Sequence, residues 1–140
     1  MVDIAAKSAV LRCIVVTPEQ TVLDTSAEFV ALPLFDGEVG IAPLHSPMIG
    51  RLGYGELRIR SAGVVGRYYV DGGFVQVLDN VVSVLTNRAL PAEQLRVDVA
   101  GQLLQSALAR PAAGEEELAI RTRLIAQARA QLRVARNLSN

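Results

Sequence analysis

Up to Leu90 the chain is a series of short apolar runs, rich in β-branched residues and separated by turn residues. Polar and apolar positions alternate in Glu56-Leu57-Arg58-Ile59-Arg60 and in Phe74-Val75-Gln76-Val77, as in a strand with one buried face. The pattern predicts strands over residues 11–16, 21–24, 27–34, 38–41, 56–60, 67–71, 74–78 and 81–86. Thr17-Pro18-Glu19-Gln20, Asp36-Gly37, Ser61-Ala62-Gly63, Asp71-Gly72-Gly73 and Asp79-Asn80 separate them as turns. Gly50, Gly53 and Gly55, around Arg51 and Tyr54, read as a loop. Many short strands with frequent turns predict an antiparallel sandwich or barrel.

Beyond Leu90-Pro91 glycine becomes rare, and Ala, Leu, Gln, Glu and Arg take over, which is helix chemistry. Pro91 suits a first helical turn. Leu95, Val99, Leu103 and Ala107 recur every fourth residue with Ala100, Leu104 and Leu108 beside them, an apolar stripe. Arg110-Pro111-Ala112-Ala113-Gly114 breaks it. Glu115, Glu116 and Glu117 open a second helix with Leu118, Ile125, Ala128, Leu132 and Ala135 on one side. Acids at its start and Arg129, Arg133 and Arg136 towards its end suit the helix dipole. Glu117 and Arg121 are spaced as an i,i+4 ion pair. The fold class expected is therefore a mainly β N-terminal sandwich, residues 1–90, followed by a C-terminal antiparallel two-helix hairpin, residues 91–140 (α+β overall). Such a hairpin buries little by itself and must pack on the sandwich or on another protein. An element able to choose between two surfaces can act as a switch.

Composition narrows the function. A chain of 140 residues makes one domain, or a small domain with an appendage. The hydrophobic fraction of 51% supplies a core, and with 4% aromatics and no Trp that core is aliphatic. A formal net charge of zero gives no electrostatic support for nucleic acid or an anionic membrane as a general partner. Cys13 stands alone, which excludes an intrachain disulfide and fits a reducing compartment. Residues 1–9 lack the basic start and apolar run of a signal peptide. No stretch approaches the ~18 apolar residues of a membrane span.

Catalytic chemistry has little to work with. There is one histidine, no metal-ligand spacing and no orienting acid for the His45-Ser46 pair. Asp71-Gly72-Gly73 precedes no helix pattern, so it is not a phosphate loop. No catalytic residue, metal or cofactor is expected. The run from Asp36 to Ile49 stands out instead: a tight reversal, a short extended piece, and a loop stiffened by Pro43 and Pro47 around His45. A rigid loop with a polar centre suits docking. Its residues also have plainer readings. His45 either bonds its own backbone or contacts a partner, Glu38 either guards a sheet edge or docks, and the helix arginines either form a solvated face or meet an acidic surface. Cys13 reads as a small core residue.

The same run, Asp36-Gly37-Glu38-Val39-Gly40-Ile41-Ala42-Pro43-Leu44-His45-Ser46-Pro47-Met48-Ile49, resembles the GELGIxPxHxPLL signature of the epsilon subunits of F-type ATP synthase. Val15-Val16-Thr17-Pro18-Glu19 resembles that family's opening strand and turn. Val70-Asp71-Gly72-Gly73-Phe74-Val75-Gln76-Val77 with Val81-Val82-Ser83-Val84-Leu85 is similar to its GG block, and Ala130-Gln131-Leu132-Arg133-Val134 to its last helix. The resemblance implies a non-catalytic subunit at the foot of the rotating central stalk. The implied partners are the gamma subunit and the polar loops of the c-ring, with Glu38, His45 and Ser46 in the docking loop. It implies a hairpin that folds on the sandwich or extends towards the alpha and beta subunits. There it hinders ATP hydrolysis, with Arg121, Arg123, Arg129, Arg133 and Arg136 as candidate contacts to beta. It also implies a peripheral place on the cytoplasmic face of the bacterial inner membrane, with the membrane met only through the complex.

Two departures from the family matter. Some members bind ATP through an (I/L)-D-x-x-R-A pattern, for which this chain has Leu95-Arg96-Val97-Asp98-Val99-Ala100. Arg96 replaces the acid and Val99 the arginine, so the fork that would hold phosphate is missing and no nucleotide site is expected. The connection from Arg110 to Gly114 also differs from the family's polar helix-helix loop. The alternative reading is a sandwich binding module of another complex, without catalytic activity; a small enzyme would need a polar constellation not found in the sequence.

Overall fold

In the computed structural model, which describes residues 10–138, eight strands precede two helices. The strands are β1 (Leu11–Val16), β2 (Thr21–Ala27), β3 (Phe29–Leu34), β4 (Gly37–Ile41), β5 (Met48–Ser61), β6 (Val64–Leu78), β7 (Val81–Leu85) and β8 (Ala89–Pro91). A short 3-10 helix (Ala92–Gln94) leads to α1 (Val97–Ala109) and α2 (Glu115–Leu138). The reading of residues 1–9 lies outside the described residues.

Strand order is β2-β1-β7-β6-β5-β3-β4, with β8 added beside β6. All pairings are antiparallel except β1 with β7. The long strands β5 and β6 carry both halves of the β-sandwich. One end of their ladder, around Phe74 to Leu78, pairs with β7; the other, around Phe29 and Arg60, meets β3. Strand alternation puts Leu11, Cys13, Val15, Leu57, Ile59, Val75, Val77, Val82 and Val84 inside, each at most 3% exposed. They join Val30, Leu32, Ile41, Leu52 and Val70 in one aliphatic core.

Several local expectations are corrected. Gly50, Gly53 and Gly55 lie within β5 rather than in a loop. They let the strand pass close to β3: a Cβ at Gly55 would come 2.9 Å from the Pro33 ring. Asp71-Gly72-Gly73 is not a turn either, because β6 runs through it. Gly72 and Gly73 adopt φ of 72° and 108°, and a Cβ on Gly73 would overlap the Leu85 carbonyl. The two strands expected at 67–71 and 74–78 are thus one. Pro91 ends β8 instead of opening a helix, and α1 begins at Val97. The sequence pattern did not reveal β8, which crosses the expected boundary at residue 90.

The hairpin rests on the sheet through α2, and α1 packs on α2. A second buried cluster marks the seam, with Tyr69, Ala92, Ala130 and Val134 flanked by Tyr54 and Leu95. The stripe read on α1 turns differently from expectation. Ala100 and Ala107 are buried, while Val99, Leu103 and Leu108 stay exposed. Small residues let the helices approach closely there, and the larger side chains are left outside. Glu117 and Arg121 each bond backbone in place of the expected ion pair. Glu117 Oε2 accepts from the Ala113 N–H at 3.2 Å, and Arg121 Nη2 donates to the Leu108 carbonyl at 2.9 Å. Both groups thus serve helix ends, which lack internal partners.

Candidate functional site

Alternation along β5 and β6 places Tyr54, Glu56 and Arg58 opposite Asp71, Tyr69 and Arg67 on the sheet face away from the core. Helix α2 lies over part of this face. Asp71 is buried, and its Oδ1 accepts from Tyr69 Oη at 3.1 Å and from Gln127 Nε2 on α2 at 2.9 Å. The Asp71 backbone is fixed by the chain between β7 and β8. Its N–H donates to Thr86 Oγ1 at 3.0 Å and to the Arg88 carbonyl at 3.1 Å. Burial, and then the charge of Asp71, push the Tyr69 phenol up, so it stays protonated and donates. Gln131, one turn beyond Gln127, meets the Tyr69 hydroxyl.

Beside this network lies a row of charges. Arg58 donates to both Glu38 oxygens, at 2.6 and 3.1 Å, and Arg67 donates to Glu56 Oε1 at 2.8 Å. The bond to Glu38 raises the Arg58 pKa. Glu56 is 8% exposed, and its Oε2 has no hydrogen-bond partner among the described residues. Glu38, Glu56, Arg58, Arg133 and Arg136 line one groove of about 560 Å³ at the end of α2.

The candidate docking residues thus fall in two places. Glu38 belongs to that groove. His45 and Ser46 sit in a loop fastened elsewhere, where the Leu44 N–H donates to Asn80 Oδ1 at 2.7 Å. His45 Nδ1 donates to the Ser46 carbonyl at 2.7 Å, a bond within the loop itself. Of the five candidate arginines, Arg123, Arg129, Arg133 and Arg136 are exposed. Arg121 is half-buried and committed to the end of α1. A cavity of about 470 Å³ between the helices is lined by Arg88, Arg110, Ser106, Gln127 and Gln131, among others. Arg96 does not reach it and pairs with Asp98 at 3.0 Å. Among the described residues no three His, Cys, Asp or Glu side chains group as metal ligands.

On the sheet face formed by β5, β6 and β7, apolar side chains stay uncovered. Arg51 stacks over the Phe35 ring at 4.4 Å and lies opposite Phe74, which in turn lies opposite Leu85. Phe35 is 66% exposed, Phe74 58% and Leu85 53%, and Ile49, on the same side of β5 as Arg51, is 79% exposed. Exposed apolar side chains grouped in this way suit an interaction surface. The sequence reading missed it because alternation hides which face of a sandwich strand is left without a partner. It also missed Tyr69, Asp71, Gln127 and Gln131. The available signal was a pair of glutamines at i,i+4 interrupting an alanine-rich helix face.

The model of the ATP synthase delta/epsilon chain β-sandwich domain matches residues 10–92. An ATP synthase epsilon chain of Rhodopirellula baltica is 52% identical over 126 residues, covering 90% of this chain and 98% of that one. The chain belongs to the ATP synthase epsilon-chain family. The epsilon chain of Nitratidesulfovibrio vulgaris is 34% identical over 125 residues, covering 89% of this chain and 88% of the relative. The fold recurs in a Euglena gracilis mitochondrial ATP synthase structure containing OSCP, F1 and c-ring, with TM-score 0.74 and 23% identity over 94% of this chain and 80% of that chain. It recurs again in the central stalk and c-ring of Tetrahymena thermophila mitochondrial ATP synthase, with TM-score 0.71 and 15% identity over 89% and 96% of the two chains. Membership makes this chain an epsilon-type subunit of an ATP synthase. Among the described residues no helix is long and apolar enough to cross a membrane.

Proposed function

We propose that this chain couples the rotor of an F-type ATP synthase, driven by protons or sodium ions, to its c-ring during ATP synthesis, and restrains ATP hydrolysis through its hairpin. In this reading the sandwich docks on the gamma subunit and on the polar loops of the c-ring, using Glu38 and the His45-Ser46 loop towards the ring. The hairpin reaches the alpha and beta subunits, with Arg123, Arg129, Arg133 and Arg136 free to meet acidic groups and Arg121 holding the hairpin's shape. The bond-making chemistry of ATP belongs to other subunits. The complex holds the chain at the cytoplasmic face of a bacterial inner membrane.

The observation that carries the docking role is the uncovered strip of Phe35, Arg51, Phe74 and Leu85 in a chain of this family. A sheet face left apolar in the isolated chain favours burial against a partner, and the family supplies the central stalk as that partner. The exposed Val99, Leu103 and Leu108 on α1 support the second role, since the folded-down hairpin leaves them without cover. A second surface that covers them would draw the hairpin away. The test of docking is binding of the chain to an epsilon-free F1 core from its own organism. Phe74→Asp puts a charge in the strip and is expected to weaken binding about tenfold or more while the chain still folds. Undiminished binding of that variant would exclude the strip as the docking surface.

A further inference from the structure

The hairpin is held to the sandwich by little apolar surface. Its buried contributions to the seam are Ala130 and Val134, with Ala92, Tyr54, Tyr69 and Leu95 against them. Alanine removes little area from water, so such a seam neither grips strongly nor fixes a register. Two directional contacts join the two parts there, Gln131 to the Tyr69 hydroxyl and Gln127 to Asp71. Gln127 Nε2 of α2 donates to Asp71 Oδ1 across 56 positions of chain, in a half-buried setting. Asp71 cannot move to follow the helix, because Thr86, Asn87 and Arg88 hold its backbone N–H and carbonyl. Tyr69 also cannot rotate freely, being fully buried and bonded to the same oxygen.

We infer that Asp71, Tyr69, Gln127 and Gln131 form a latch that holds the hairpin on the sandwich and sets how readily it leaves. The inference rests on the two-surface reading of the hairpin given above. A carboxylate acceptor makes the bond stronger than one between neutral groups. It is also a bond that can be exchanged. When α2 lifts, water reaches Asp71, so release costs less than stranding a buried charge. The sheet-side half of the latch is preformed, since β6 and the segment from Thr86 to Arg88 stay in the sandwich. The helix-side half is two glutamines one turn apart, which arrive together or not at all. On the other side, two residues, Leu95 and Arg96, join the 3-10 helix to α1. Leu95 and Arg96 there are extended, at ψ of 144° and 134°, which makes a short hinge.

The experiment is amide hydrogen exchange on the full chain, comparing α1 and α2 with β5 and β6. Gln127→Leu removes the donor and keeps the size of the side chain; Tyr69→Phe removes the second bond to Asp71 and keeps the ring. In the parent, the helices are expected to open while the strands stay protected. In Gln127→Leu, helix exchange should rise about tenfold or more, the equivalent of one hydrogen bond to a charged group. Tyr69→Phe should give a smaller rise, again with the strands unchanged. Independent opening in the parent that stays within twofold in Gln127→Leu would overturn the latch and leave the two-surface reading intact. Helices and strands exchanging together at one rate in parent and variants would overturn both.

Discussion

Cys13 is wholly buried on β1, and burial pushes its thiol from the ordinary 9.0 up to about 12. The unfolded chain ionises this thiol first, so the stability it contributes is complete below pH 9 and is lost as pH rises from 9 towards 12. Equilibrium unfolding between pH 9 and 10 should therefore show stability falling with pH. Cys13→Ala should remove a slope approaching about 1.4 kcal/mol per pH unit. An unchanged slope in that variant would assign the loss to other groups. At this scale the sequence was informative where one residue has one fate. A lone cysteine in an alternating strand reads as core, and it is core. It was less informative where the fate depends on what arrives from elsewhere. Glu38 acquires Arg58 as a partner from β5, twenty positions away, and Asp71 acquires Gln127 from α2. No local pattern encodes either meeting.

Strands with one buried face were legible as elements, because a side-chain period of two survives in the sequence of β5 and β6. Strands continued through glycine were not. Gly53, Gly55, Gly72 and Gly73 signal turns by composition, yet they serve close packing and a positive-φ irregularity inside β5 and β6. The hairpin was legible in its length and polarity but not in its facing. Alanines supply its contacts, and a hydrophobic stripe points elsewhere. At the entry of α1, Arg96 caps no backbone group with its side chain and pairs with Asp98, and Val99 is exposed. Nothing in residues 95–100 presents an arginine fork to phosphate. Calorimetric titration of the isolated chain with ATP should therefore give no binding in the sub-millimolar range. A sub-millimolar affinity would mean that Arg88 and Arg110, which line the cavity between the helices, hold phosphate instead.

Across the whole molecule, the structure joins a sandwich, a two-residue extended connection at Leu95 and Arg96, and a hairpin whose own buried side of the seam is Ala130 and Val134. The sandwich is closed by an aliphatic core and has one uncovered apolar strip. The hairpin meets the sandwich through that small seam and through the polar network around Asp71. The proposal places docking on the sandwich and restraint of hydrolysis on the hairpin. The proposed two positions of the hairpin require a balance within a few kcal/mol, the range in which a partner can shift it. The most direct measurement is ATP hydrolysis by an epsilon-free F1 core from the same organism, with the full chain or with a version ending at Gln94. That end point keeps β8 and the buried Ala92 in the sandwich. Both versions are expected to bind, and only the full chain to lower the rate. Equal inhibition by the two versions, or binding of the full chain without inhibition, would contradict the proposal.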